Sequence, residues 1–437
     1  MSRAWSLALP VVTVLVVAYA LLVAGVPRQV AGARVYGGPT EGRSVLSLRV
    51  EAVARDGEHE TPYEQGPLHV TASAANSAPV ELTITTRATR GVADFELVFA
   101  QPIHGPVNLM LRDAAGSLLA GGVVSLDVER WAARARRRGG WIRGRDSGGL
   151  VLSIAPQRGA FVVGAADSLL IRVERAGSAV GNAHLTWSAD GAELRATSDL
   201  LTDARGRALI SLQAVDLNPT VRIEAHTDDG QSGLIDSGVP VVPGGFQGLR
   251  TQTGIRIESA TPRTQAFFSI VTDHARVVGG ALDLTPDGRG GAWATAALAP
   301  LPQPAWLMVS SEVDEHSAAA IGWPLDVGTE PAQTFDVPDA LLLDGLPAAF
   351  EREQARRSRV RWLTATFIAL AFGLSVVLLV LRVRAADRNI AQHLRSDLES
   401  ETAARIAPRG LWPLLGALLV LGLGFVLLGL IVAARSH

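Results

Sequence analysis

The 437-residue chain has no cysteine and no lysine. The first absence excludes disulfides, thiol nucleophiles, iron–sulfur and thiolate-zinc centres, and a lipid-modified N-terminal cysteine. The second excludes a Walker-type phosphate loop, a kinase lysine, a Schiff-base lysine and a Ser–Lys dyad. All 40 basic residues are therefore arginines, and with a formal net charge of −2 there is no basic excess to suggest a nucleic-acid partner. Catalytic motifs are missing as well. The nine histidines form no HExxH and no i, i+4 pair, and no Gly-x-Ser-x-Gly elbow occurs. The densest set of possible cation ligands, Glu312, Asp314, Glu315 and His316, lacks EF-hand spacing and reads as the solvated end of a strand. We expect no enzyme activity, no cofactor, no metal and no small-molecule substrate.

What is present is apolar: 48% of the residues are hydrophobic. Three long uncharged runs account for the excess, at 5–26, 362–381 and 411–434. Each matches the ~20 residues a helix needs to cross a ~30 Å hydrocarbon core. Each also opens with a tryptophan, Trp5, Trp362 and Trp412, the residue that favours a membrane interface. The first run is longer than the ~7–15 apolar residues usual in a signal peptide, so residues 1–26 read as an uncleaved anchor, with cleavage after Ala31-Gly32-Ala33 as the alternative. The last two runs read as a helical hairpin. Arginines near the span ends nearly balance, so charge does not set the orientation. The secretory look of the N-terminus and the β-rich region after it place 27–360 outside the inner membrane, in a periplasmic setting, and the 382–410 loop inside.

Residues 27–360 carry period-two alternation. Leu46, Leu48 and Val50 alternate with Ser47, Arg49 and Glu51, and Val221, Ile223 and Ala225 with Arg222, Glu224 and His226. This predicts strands with one buried face and one wet face. Turn pairs such as Asp56-Gly57, Asp190-Gly191, Asp229-Gly230 and Asp287-Gly288 punctuate the runs, and no helical period precedes residue 340. The predicted fold class is mainly β: tandem β-sandwiches at 43–128, 150–242 and 248–327, with three transmembrane helices. A segment at 129–149 reads as an arginine-rich linker, and 328–361 as a connector ending in a helix.

The second and third units look like repeats. Thr202-Asp203-Ala-Arg-Gly206 followed by Arg207 to Leu212 matches Thr285-Pro286-Asp287-Gly-Arg-Gly290 followed by Gly291 to Ala296. The similar Asp113-Ala-Ala-Gly116 of the first unit is set aside as a coincidence. The run from Asn182 to Gly191, Leu201 to Leu212 and Pro219 to Ala225 resembles bacterial Ig-like and macroglobulin-type sandwich domains, in which a T-D-x-x-G turn precedes a core strand. The resemblance covers residues 150–242 best, implies an extracytoplasmic setting, and carries no chemistry. A macroglobulin thioester would need a cysteine, so protease trapping is not implied.

Three further features bear on partners. In the linker, Arg134, Arg136, Arg137, Arg138, Arg143 and Arg145, flanked by Trp131 and Trp141, form a candidate anion-binding patch for lipid headgroups, acidic polysaccharide or protein; the alternative is a solvated flexible connector. In the second span, Ala365, Ala369 and Gly373 make a small-residue stripe suited to close helix packing, with Gly422, Gly429 and Ala433 as counterpart in the third. In the loop, Ile390, Leu394, Leu398, Thr402 and Ile406 recur every fourth residue, predicting a helix over 383–407 that lies along the membrane surface, with a fold-back near Ser396-Asp397 as the alternative. A straight protrusion is excluded on that reading, because only three residues would remain to return to Leu411. The expected function is a membrane-anchored binding or scaffold protein with lipid and envelope-protein partners; a transmembrane sensor is the alternative.

Overall fold

The computed structural model describes residues 29–397 except 40–43, 64–65, 87–90, 135, 195–199, 244, 320 and 337–339, together with Val12, Leu15, Gly422 and Gly424. The chain divides into two compact units. One, Ala31–Ala54 with Glu60–Leu346, contains nearly all the strands; the other, Met1–Val30, Arg55–His59 and Pro347–His437, contains the long helix.

The β unit holds three two-sheet sandwiches. In the first, strands Val30–Gly37, Val45–Asp56, His59–Pro62, Val92–Val98 and Leu341–Asp344 form one sheet, and Leu68–Ala74, Val80–Ile84, Val107–Arg112 and Leu118–Val124 the other. Leu46, Leu48 and Val50 meet Val70, Leu109 and Leu111 in the core, as alternation on a pleated strand requires. This sandwich reaches beyond 43–128 at both ends. It begins with Val30–Gly37 and is closed by Leu341–Asp344, paired antiparallel through Arg34 with Asp344 and Val35 with Leu343. The Ala31-Gly32-Ala33 tripeptide lies inside this first strand, where Ala33 is fully buried.

The second sandwich sets Val151–Pro156, Ala166–Arg175 and Arg207–Ala214 over His184–Asp190, Thr220–His226 and Ser232–Gly238. The third sets Phe246–Thr251, Gly254–Ser259 and Ala292–Ala297 over Gln265–Val271, Arg276–Asp283 and Trp306–Ser310. A parallel pairing of Phe161–Val162 with Val241–Val242 brings Val162 from the second sandwich into the core of the third.

The Asp-x-x-Gly turns are one device used three times. In each, the aspartate N–H donates to the carbonyl four residues on, and the N–H of that residue donates back to the aspartate Oδ1: Ser117 to Asp113 at 2.7 Å, Arg207 to Asp203 at 2.8 Å, Gly291 to Asp287 at 2.9 Å. Gly116, Gly206 and Gly290 hold φ of +81°, +68° and +95°, which a side chain would strain. The first-unit turn shares this hydrogen bonding but not its place in the fold: it joins Val107–Arg112 to Leu118–Val124, the final hairpin of its sandwich, as expected of a turn that is not part of the repeat.

Two expectations about connecting segments change. Residues 129–149 are folded rather than a flexible linker: helix α1 spans Val128–Arg134, Arg136–Arg138 pair antiparallel with Thr334–Asp336, and Ile142–Arg143 pair with Val151–Pro156. Helix α2 is the short Glu315–Ala318. Helix α3 runs unbroken from Leu346 to Asp397, 52 residues or ~78 Å. It runs past Arg382 without a break as far as Asp397, and the rest of the helix expected over 383–407 lies outside the described residues.

Within Leu346–Ala386 lies the one helix among the described residues that is long and apolar enough to cross a membrane. The other two runs, with Trp5, Trp412 and Gly429, lie outside the described residues, apart from Val12, Leu15, Gly422 and Gly424, which are helical.

Candidate functional site

The wet face expected of strand Val45–Asp56 is not wet. Arg49 is fully buried, as is Ser47 beside it, because the third sandwich packs over this side of the first. Arg49 lies directly opposite Asp94 in the ladder and donates to it through Nε at 2.9 Å. Its Nη1 donates to the Val313 carbonyl at 2.9 Å and to Glu315 Oε2; its Nη2 donates to the Phe268 and Gly280 carbonyls at 2.9 and 2.8 Å. All five guanidinium N–H groups are therefore used, four of them on the third sandwich. The guanidinium also sits 5.4 Å from the Phe267 ring centroid.

Arg276 comes from the other side. It donates to Ser269 Oγ at 2.8 Å, to Ser47 Oγ at 2.6 Å and to Asp94 Oδ1 at 3.3 Å. Ser269 in turn donates to Glu315 Oε1, and His316 Nε2 lies 3.6 Å from the same oxygen. Two arginines face two carboxylates, so the buried cluster is neutral when both acids are ionised. Burial pushes the Glu315 carboxyl up, but the positive charge of Arg49, the neighbouring His316 and Arg276, and the Ser269 hydroxyl hold it below its usual range. The backbone makes room: a Cβ on Gly279 would collide with the Arg276 guanidinium, and one on Gly280 would fall 2.8 Å from the Phe268 ring.

Glu315 and His316 are thus not at a solvated strand end. They are 2% and 5% exposed and belong to this junction. No group of three metal-ligating side chains occurs among the described residues. With Arg49 and Arg276 buried and both bonded across the boundary, the cluster fastens the first sandwich to the third. Sequence periodicity had no means of finding it, since Arg49 sits on the face where alternation demands polar residues.

The arginine segment divides. All six of its arginines are exposed. Arg137 pairs with Asp273 at 2.6 Å and lies 5.2 Å from the Trp306 ring, which stacks on Phe335; Arg138 pairs with Asp336 at 2.5 Å. These two are tied into the fold. Arg134, Arg136, Arg143 and Arg145 form no ion pair among the described residues. The flanking tryptophans are also structural. Trp131 is buried against Val271, Trp306, Met308 and Phe335, while Trp141 donates to Glu330 at 3.3 Å and lies 4.6 Å from the Arg172 guanidinium.

In α3 the small-residue stripe is not the buried face. Ala365, Ala369 and Gly373 are exposed, and a Cβ on Gly373 would meet nothing within 4 Å. The buried positions are Thr364, Ile368 and Ala371, and a Cβ on Gly422 would lie 3.9 Å from the Phe372 ring. Hydroxyls are tolerated here because the helix satisfies them: Thr364 donates to the Val360 carbonyl at 2.8 Å, Ser375 to Ala371 at 2.7 Å. Trp362 is 74% exposed.

No family model matches the sequence, and no curated protein matches it. Solved structures with some likeness include the D00-D0 domain of intimin, at 11% identity over 49% of this chain and 100% of that one, with a TM-score of 0.17. The Yersinia pseudotuberculosis adhesin InvE matches at 11% identity over 56% of this chain and 72% of that one, with a TM-score of 0.18. Invasin, a bacterial integrin-binding protein, matches at 13% identity over 65% of this chain and 56% of that one, with a TM-score of 0.16. Likeness at these scores decides nothing about activity; the β-sandwich assignment stands on the paired sheets and their shared cores.

Proposed function

We propose that the chain is a membrane-anchored extracytoplasmic binding or scaffold protein. In this reading α3 is the second of three spans in the inner membrane, flanked by 5–26 and 411–434, with the β-sandwiches on the periplasmic side and residues 382–410 in the cytoplasm. Its partners are membrane lipid and other membrane or envelope proteins, met through sandwich surfaces; it performs no chemistry. The observation that carries the reading is the outward face of α3. Trp362, Leu363, Leu370, Leu374, Val377 and Leu381 are each 49–74% exposed within one helix, a contiguous apolar surface that water disfavours and lipid accepts. Support for binding over catalysis comes from the β unit, whose most buried ionisable groups are consumed in joining two sandwiches. The unbroken helix from Leu346 to Asp397 favours a second reading, a sensor that transmits an external event along α3.

Purification from native membranes in mild detergent, followed by mass spectrometry, tests the proposal. Envelope or membrane proteins that co-purify at fixed ratio, and are lost when the β-sandwiches are deleted, are the expected result. A chain that purifies alone under every detergent condition contradicts the scaffold.

A further inference from the structure

Between α1, the strand Arg136–Arg138 and the end of the third sandwich lies a cavity of about 440 Å³. Its inner wall is built from Met308, Ile321 and the edge of His316; Arg134 and Arg136 line it, and Asp336 stands at one side. Met308 is 1% exposed and His316 is 5% exposed, with the imidazole fixed edge-on to Trp131 at 5.7 Å between ring centroids. The wall is therefore preformed.

The charges around the cavity are unequal. Arg137 and Arg138 each have a carboxylate, and Asp336, which faces Arg136 across the ladder, is taken by Arg138 instead. Arg134 and Arg136 have no ion pair among the described residues, and both turn toward the same space. Both guanidinium groups are free to turn to a ligand, and each offers a planar fork that fits an oxyanion through two parallel hydrogen bonds. The volume falls at the lower end of the ~300–1,000 Å³ typical of small-ligand sites, which suits a compact molecule.

We propose that this cavity binds a small organic oxyanion, a carboxylate or phosphate monoester, whose charged end is held by Arg134 and Arg136 and whose short apolar part lies against Met308 and Ile321. The inference concerns the β unit alone and does not depend on the membrane reading, so the failure of one leaves the other standing.

The test uses the full-length protein in nanodiscs of phosphatidylcholine, with hexanoate and hexyl phosphate as probes and hexylamine as the charge-reversed control, followed by calorimetry and tryptophan fluorescence. Saturable binding of an anionic probe and none of hexylamine is expected. Each of Arg134→Gln and Arg136→Gln should weaken it about tenfold, the loss of one charge-assisted contact. Neither should lower the thermal midpoint, since neither arginine holds another part of the fold. Arg145→Gln, outside the cavity, should change nothing, and Ile321→Trp should abolish binding by filling the space even if an arginine variant proves hard to prepare. Absence of saturable binding overturns the proposal, as does equal weakening by Arg145→Gln, which would indicate diffuse surface attraction. Binding seen only with phosphatidylglycerol nanodiscs, and not with the soluble probes, also overturns it, in favour of a headgroup at the membrane surface.

Discussion

Glu315→Gln is the sharpest perturbation of the junction between the first and third sandwiches. The change keeps the side-chain shape and removes one charge, leaving Asp94 as the carboxylate still paired with buried Arg49 and Arg276, so the paired groups carry a net charge of +1 where the native set, with Glu315, has none. Breaking a buried pair on one side costs about 3–5 kcal/mol, because the remaining charge is stranded in low dielectric. Arg49 keeps its contacts to Asp94 and three carbonyls, so the lower end, about 3 kcal/mol, applies. A three-sandwich protein need not unfold in one step, so the readout is local: hydrogen exchange of amides in Val45–Asp56 and Gln265–Val271. A loss of that size should raise exchange through opening of the junction by roughly 100-fold. The companion is Arg49→Met with Glu315→Gln, which restores neutrality between Arg276 and Asp94. Its cost should fall below the sum of the single changes by about 1–3 kcal/mol. Unchanged protection in Glu315→Gln, or strict additivity in the double variant, would refute the electrostatic account.

Other predictions follow from the same packing. Gly279→Ala should destabilise the junction in the same hydrogen-exchange readout, whereas Gly238→Ala, whose nearest neighbour would lie 3.8 Å away, should be close to neutral. In acid, Glu315 has a folded value below its unfolded one, so its contribution is complete above the ordinary carboxylate range and is lost as pH falls through the lower folded value; protection of Val45–Asp56 should decline there, and by less in Glu315→Gln, which of the two paired carboxylates has only Asp94 left to lose. In base, burial and the hydrogen bond to Asp113 push Tyr63 up to about 12, so its contribution is complete below the ordinary tyrosine value and is lost as pH rises toward that figure, which ultraviolet titration reads directly. Asp113→Ala removes the Ser117 and Tyr63 contacts at the Asp-x-x-Gly turn of the first sandwich and should cost roughly 2–3 kcal/mol, read from hydrogen exchange of amides in Leu118–Val124.

The strands were legible because alternation and turn residues are local signals: Leu46, Leu48 and Val50 point inward, and Asp203 with Gly206 makes a turn whatever surrounds it. Order along the chain was not a guide to what closes what. Leu341–Asp344 completes a sheet begun at Val30–Gly37, a pairing across about 300 residues that no local pattern encodes. The same holds for Arg49, which reads as a solvent-facing residue until a second sandwich covers it. The linker was misread for a related reason. Arginine and glycine composition suggests a solvated connector, yet Arg137 and Arg138 find Asp273 and Asp336 from distant segments, and Trp131 finds a core. In α3, the spacing of Ala365, Ala369 and Gly373 correctly marks one stripe of a helix, but spacing alone does not say which stripe packs.

The membrane arrangement is tested most directly by thiol labelling, for which a chain without cysteine is well suited. Ser178→Cys, in the exposed two-residue strand Ser178–Ala179 of the second sandwich, and Ser396→Cys, near the described end of α3, each introduce one thiol. In spheroplasts treated with a membrane-impermeant maleimide, Ser178→Cys should label at once and Ser396→Cys only after permeabilisation. Equal labelling of both before permeabilisation, or release of the protein from membranes by alkaline carbonate, would contradict the account.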